Sequence, residues 1–183
     1  MKTKFMLCCL LVSLLLSCSS TKTAATPEQI VALDALIEEQ AFTIKSDWAY
    51  PQTSSGLLAL QNSGLLAPGD ANASRFSLMG NPNFLKLSGE TIDSYLPYFG
   101  ERQVVTDRNG GGSIELEDII SDYEVEKQED NSYMLKFKAK SNNESYTIVI
   151  EVFPNHKTEM IVRGSKRFPI RYTGQIEPIL ESL

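Results

Sequence analysis

Cysteine is scarce in this chain, and all of it lies at one end. Cys8, Cys9 and Cys18 fall within the first eighteen residues. No thiol follows them, which excludes disulfides, zinc–thiolate centres and a cysteine nucleophile from the rest of the chain. Histidine is scarcer still: His156 stands alone, beside Pro154 and Asn155. One imidazole leaves most transition-metal sites without ligands. A Ser-His-Asp arrangement would need that histidine held by an acid next to a nucleophile, and no Gly-x-Ser-x-Gly is present. An exposed turn histidine is the simpler reading. Positive charge is in the minority, with 17 Lys and Arg against 23 Asp and Glu and a net charge of −6. That balance is poor for nucleic acid, whose phosphates demand cations. The apolar run Phe5–Leu16 is broken by Cys8, Cys9 and Ser13, and it falls short of the roughly 20 residues that span a bilayer.

What is present at the start is an address. Lys2 and Lys4 precede the short apolar run, and Leu15-Leu16-Ser17-Cys18 closes it. A charged start, a short apolar stretch and small residues at its end mark a cleaved targeting segment. Leu15 three positions before the cysteine and Ser17 just before it match a lipoprotein signal, cut between Ser17 and Cys18. The Cys18 sulfur accepts diacylglycerol and its freed amine a further acyl chain. Two or more chains anchor stably, at about 0.8 kcal/mol per buried CH₂. The expected division is 1–17 signal peptide, 18–26 lipidated cysteine and flexible Ser/Thr/Ala/Lys tether, and 27–183 a single domain. Removing seventeen residues from 183 leaves 166, enough for one core. Losing Lys2 and Lys4 takes the charge from −6 to −8. Ser19 follows the cysteine, with neither an Asp that would favour inner-membrane retention nor an acidic run that would favour export. The expected location is the outer membrane, facing the periplasm, with the membrane as partner through the Cys18 lipid.

From Thr26 the pattern is structural. Thr26-Pro27-Glu28-Gln29 offers a cap, a first-turn proline and a capping-box Gln. Ile30, Leu33, Ile37 and Ala41, widened by Val31 and Leu36, predict an amphipathic helix over 27–40 packed on a sheet. The period then becomes two. Phe42–Trp48 reads as a first strand, with Phe42, Ile44 and Trp48 on one face. Residues 49–75 repeat Gly56-Leu57-Leu58-Ala59 as Gly64-Leu65-Leu66-Ala67 and read as a long apolar hairpin or a flap. Strands are expected at 75–79, 83–87, 90–96, 113–117, 119–127, 133–140, 145–153, 158–163 and 168–176, joined by short turns. The fold class is mainly β: an antiparallel meander of about eight or nine strands, curling into a barrel-like or two-layer sheet.

The chemical candidates are few. Gly110-Gly111-Gly112-Ser113 lacks the Lys and helix of a P-loop, and Asp107, Asn109 and Gly110 lack the spacing and terminal Glu of a calcium loop. Both read as a flexible loop; no cofactor motif is present. Glu115 and Glu117 share one strand face, and Asp122, Glu124 and Glu126 another. Paired carboxylates can hydrolyse glycosides only when one is partly buried in a cleft; alternation with Ile114, Leu116, Tyr123 and Val125 describes a solvent face. Arg163, Lys166, Arg167 and Arg171 suit either an anionic headgroup or glycan, or a charged hairpin tip guarding a sheet edge. Tyr95, Pro97, Tyr98 and Phe99 form the best candidate contact surface, for an envelope protein or glycan, against core packing as the alternative.

The stretch Asn83–Gly100, ending Leu96-Pro97-Tyr98-Phe99-Gly100, resembles a family of uncharacterised lipoproteins from Bacteroidetes, domain of unknown function 4251. Tyr146–Phe153 and Arg167–Gly174 resemble its C-terminal strands, and the likeness covers most of residues 28–178. It implies an anchored periplasmic β domain with no assigned activity or catalytic residues. The expectation is a non-enzymatic envelope module with a binding or structural role. Its alternative is a carrier with a small apolar ligand in a barrel-like cavity under a flap of Leu57, Leu58, Leu65 and Leu66. The third is a glycan hydrolase using the paired carboxylates. Labelled palmitate should enter the wild-type protein and be lost from a Cys18→Ala variant, which should leave the membrane fraction; a variant that stays membrane-bound contradicts the anchor.

Overall fold

The computed structural model describes residues 25–66, 71–103 and 112–179. The signal segment, Cys18 and residues 104–111, with the first two of the three glycines, lie outside them. Among the described residues no helix is long and apolar enough to cross a membrane.

Helix α1 (Pro27–Glu39) starts on the capping box that the sequence offers. The Thr26 hydroxyl accepts from the Gln29 amide and the Gln29 side chain accepts from the Thr26 amide at 3.0 Å. Leu33, Leu36 and Ile37 enter the core, whereas Val31 is 67% exposed and does not widen the stripe. Gln40 ends the helix in the left-handed region, φ 49°, and β1 (Ala41–Pro51) begins at once.

Strand β1 carries a bulge between Ser46 and Trp48. One extra residue inverts the parity that follows. Phe42, Ile44 and Ser46 face inward before it, Ala49 after it. Trp48 is therefore turned outward, against the simple alternation, and the Arg75 guanidinium lies 4.7 Å above its ring. Three backbone groups at the bulge find partners outside β1, while the buried Ser46 hydroxyl has none among the described residues. Asn83 accepts from the Ser46 amide at 2.8 Å and donates to its carbonyl at 3.0 Å, and the Asp47 carbonyl accepts from Leu78 N–H at 2.8 Å.

Among the described residues of 49–75 the first Gly-Leu-Leu-Ala copy lies in a helix, not in an apolar hairpin. Ser54 caps α2 (Ser55–Asn62) by accepting from the Leu57 amide at 3.2 Å. The run Leu57–Gln61 is composed of strong helix formers, which decides the matter locally. Gly64, at φ 74°, follows the helix end, the position that favours glycine. Leu57 is buried and Leu66 half-buried, while Leu58 and Leu65 are exposed. Two short strands follow, β2 (Ala71–Asn72) and β3 (Arg75–Ser77), the latter pairing with β1.

The remaining strands are β4 (Phe84–Ser88), β5 (Thr91–Pro97), β6 (Ser113–Ile119), β7 (Ser121–Lys127), β8 (Tyr133–Lys140), β9 (Ser145–Val152), β10 (Lys157–Gly164) and β11 (Ile170–Pro178). Nine strands lie side by side in the order β6-β5-β4-β1-β11-β10-β9-β8-β7. Every pairing is antiparallel. Two meanders, β4–β6 and β7–β11, flank β1, the first strand in sequence. The edge strands β6 and β7 are consecutive in the chain and bend apart at buried Ile120, whose amide donates to the Glu90 carbonyl. The Lys140 amide on β8 donates to Asp118 Oδ2 of β6 at 2.8 Å, but no ladder joins the two strands among the described residues. The result is a near-barrel. Its interior is filled by side chains with no exposure, among them Phe42, Ile44, Leu85, Leu87, Phe137, Ile148 and Tyr172.

The bulge leaves no room at Gly174 on β11. A Cβ there would lie 2.6 Å from Ser46 Cα and closer still to the Lys45 carbonyl oxygen. Gly174→Ala should lower stability by about 3 kcal/mol, the upper range for overpacking. Gly89→Ala, at φ 57° with open space around it, should lose only about 1 kcal/mol. Urea midpoints at unchanged m-value measure both.

Candidate functional site

A cleft of about 970 Å³ lies against the outer face of β4, β5 and β6. Period-two alternation builds its floor. Ile92, Ser94 and Leu96 on β5 and Ile114 and Leu116 on β6 point inward, so Asp93, Tyr95, Glu115 and Glu117 point out. Register then aligns them. Phe84, Tyr95 and Glu115 stand in one cross-strand row, and Lys86, Asp93 and Glu117 in the next. Asn81 and Pro82 border the cleft on the β4 side; Lys140, Ser141 and Asn142 border it beyond β6. Tyr95, Phe84, Pro82 and Pro97 give the apolar surface, and Asp93, Glu115, Glu117 and Asp118 the acidic one. Ser113 Oγ donates to Glu115 at 2.5 Å. Asp93 and Glu117 are directly opposite one another, a like-charge pairing that is unfavourable across strands.

The aromatic stretch expected to form one surface is divided. Tyr95 is 40% exposed and, with Pro97, lines the cleft. Tyr98 is in the core, its hydroxyl shared between the Glu101 carbonyl at 2.7 Å and the Phe168 carbonyl at 3.0 Å. Burial pushes its hydroxyl up to about 12 against the opposing pull of the Arg167 charge. Phe99 stacks on Phe76, ring centroids 4.3 Å apart, and packs against the core. Sequence reasoning missed Phe84, Asp93, the Asn81-Pro82 corner and the Lys140–Asn142 turn, because register across strands brings them together. The outward parity of Phe84 and Tyr95 was the one available signal.

The other candidates disperse. Glu115 and Glu117 are both exposed, so neither has the apolar surroundings that separate a general acid from a base. Asp122 and Glu124 form ion pairs at 2.8 Å with Lys138 and Lys136 of the neighbouring strand. Leu57, Leu58, Leu65 and Leu66 do not line the cleft, which lies outside the sheet rather than within it. Among the described residues no group of three His, Cys, Asp or Glu could hold a metal ion. The basic cluster separates as well. Arg171 stacks on Tyr50 and pairs with Glu159 at 3.0 Å. Arg167 is buried, 2.9 Å from Glu144 and flanked by the Tyr98 and Tyr146 rings.

Glu144 also accepts from the Lys166 amide and the Tyr146 hydroxyl, each at 2.9 Å. Burial alone would raise its carboxyl; the bonds from Arg167, Lys166 and Tyr146 outweigh burial and hold it below the ordinary value. This ion pair ties the β8–β9 turn to the β10–β11 connection. The segment after Tyr98 is tied to that connection in turn, through Gln103 N–H to the Lys166 carbonyl at 2.8 Å and Phe168 N–H to the Glu101 carbonyl at 3.1 Å.

These features define a near-barrel β domain with an external cleft. The model of the family "Domain of unknown function (DUF4251)" matches residues 24–176, and the chain belongs to that family. A crystal structure of a DUF4251 family protein from Bacteroides eggerthii is similar, with a TM-score of 0.57 at 11% identity, over 82% of this chain and 88% of that one. At that identity the likeness shows the fold. No curated protein matches.

Because the folded Glu144 carboxyl lies below its unfolded value, it stabilises the fold above about pH 4.5 and loses that contribution as pH falls through the folded value. Glu144→Gln should cost about 3 kcal/mol at pH 7, leaving Arg167 buried and unpaired. The gap between wild type and variant should narrow toward pH 3 in urea titrations. A gap independent of pH contradicts the assignment.

Proposed function

We propose that this domain is a non-enzymatic ligand-binding module, held at the outer membrane by lipid on Cys18, and that the cleft over β4–β6 is its binding site. The carrying observation is the cleft itself: a concave surface of ligand size with apolar and charged groups converging on it. The expected ligand is amphipathic. Its apolar part lies on Phe84 and Tyr95, and its cationic part meets Asp93, Glu115 and Glu117. On this reading the carrier-like role belongs to the outside of the sheet, and the packed interior supports that choice. The anchor places the site in the periplasmic space within reach of the membrane.

Native mass spectrometry of protein released from membranes in mild detergent tests the reading. Wild type should carry an adduct mass that a Phe84→Ser/Tyr95→Ser variant loses while its urea midpoint holds. A bare wild-type mass, or an adduct that survives both changes, rejects the cleft as the binding site.

A further inference from the structure

We propose that β6 is an acceptor edge, to which an extended segment of a partner protein adds as a further strand, with lysine or arginine alternating with apolar residues. This deepens the proposed function and rests on the cleft being the binding site.

The first observation is backbone. Strand β6 pairs with β5 on one side, and among the described residues no strand pairs with its other side. Four consecutive residues, Glu115 to Asp118, border the cleft. Residues of both parities border it, buried Leu116 among them, so it is the strand's edge, and not its outer face alone, that opens there. The second observation is the gap beyond that edge. Strand β7 first pairs with β8 at Ser121 and Lys138; β8 continues to Lys140 without it. From the Lys140–Asp118 bond the Lys140–Asn142 wall and β6 therefore bound a slot with no strand between them. A strand bonded to β6 would sit about 4.8 Å from it.

The third observation is charge. Two of the three acidic residues of β7 are answered within the sheet, Asp122 by Lys138 and Glu124 by Lys136; Glu126 stands opposite Met134. Asp93, Glu115 and Glu117 have no such ion pairs among the described residues. Asp93 stands opposite Glu117 on one side and Lys86 of β4 on the other, so Glu117, at the open end of the row, meets a like charge with no ion-paired cation on its free side among the described residues. A cation on the added strand's outer face would relieve that repulsion. Its inward side chains would continue the rows of Ile114 and Leu116. A second copy of β6 is the wrong occupant, because it would bring Glu115 and Glu117 against themselves.

The probe is a capped peptide of the length of β6, alternating lysine and valine, added to the full mature chain. It should slow hydrogen exchange at β6 amides facing the cleft by roughly tenfold or more. The glutamate–valine peptide, and the lysine–valine peptide with its backbone nitrogens methylated, should not. Glu115→Lys/Glu117→Lys, both exposed positions, should weaken binding at least roughly tenfold with the fold intact. Equal binding of the methylated peptide, or unchanged exchange at β6, overturns strand addition. So does a failure of the lysine–valine peptide to bind while the native adduct persists. Those outcomes leave the cleft as a small-ligand site. A bare wild-type mass in native mass spectrometry, or an adduct that survives the Phe84→Ser/Tyr95→Ser change, removes both readings.

Discussion

A single bend governs the shape of this domain. Residues 113–127 have the composition of one long strand, yet at Ile120 the chain turns, so its first part pairs with β5 and its second with β8. A strand serving both neighbours along its length would close the barrel and abolish both edges. Here, among the described residues, the covalent link and the hydrogen bond from Lys140 N–H to Asp118 connect the two sides. Burial of the Ile120 side chain, with its amide on the Glu90 carbonyl, holds the turn. The cleft is the consequence of that incomplete closure. It lies where β6 has no neighbour, and its far wall is the end of β8.

Much of this was written in local pattern. The Thr26–Gln29 box, the alternation of Leu135, Phe137 and Ala139, and the turns around Gly89 and His156 each depend on residues a few positions apart. Failures came where distant contacts decide. The bulge after Ser46 has no local signature. It exists because Asn83, Leu78 and Gly174 receive it from three other segments, and it alone turns Trp48 outward. The helix α2 is a different case. Its Ser54 cap and unbroken run of helix formers were legible, but the Gly-Leu-Leu-Ala repeat drew the reading toward two equivalent halves. Among the described residues only the first half lies in a capped helix.

The site was legible in fragments. Tyr95 and Pro97 belong to it, Tyr98 and Phe99 do not, and the division follows from strand ends. Up to Pro97 the chain is in the sheet and strict parity applies. After it, the Tyr98 hydroxyl finds the Glu101 and Phe168 carbonyls and Phe99 finds Phe76, contacts that no periodicity encodes. Arg167 shows the same limit. Among basic neighbours it reads as a hairpin-tip charge, yet Glu144, more than twenty residues earlier, draws it inside. A buried guanidinium there is tolerable because its partner carboxylate, Glu144, is held in place by the Lys166 amide and the Tyr146 hydroxyl.

The two edges face one problem with opposite solutions. An exposed strand edge invites pairing with any other chain. Along β7 cross-strand lysines answer two of the three acids, Asp122 and Glu124. Exposed pairs of this kind contribute only about 0–1 kcal/mol each, so their effect is on which chains can approach more than on stability. Along β6 the carboxylates have no such answer within the sheet. The same charges that repel a second copy of that edge make it receptive to a chain of opposite sign. An edge that must stay unpaired among its own kind, yet open to one class of partner, needs unbalanced charge beside an unfilled slot. Glu115 and Glu117 supply the first and the bend at Ile120 the second.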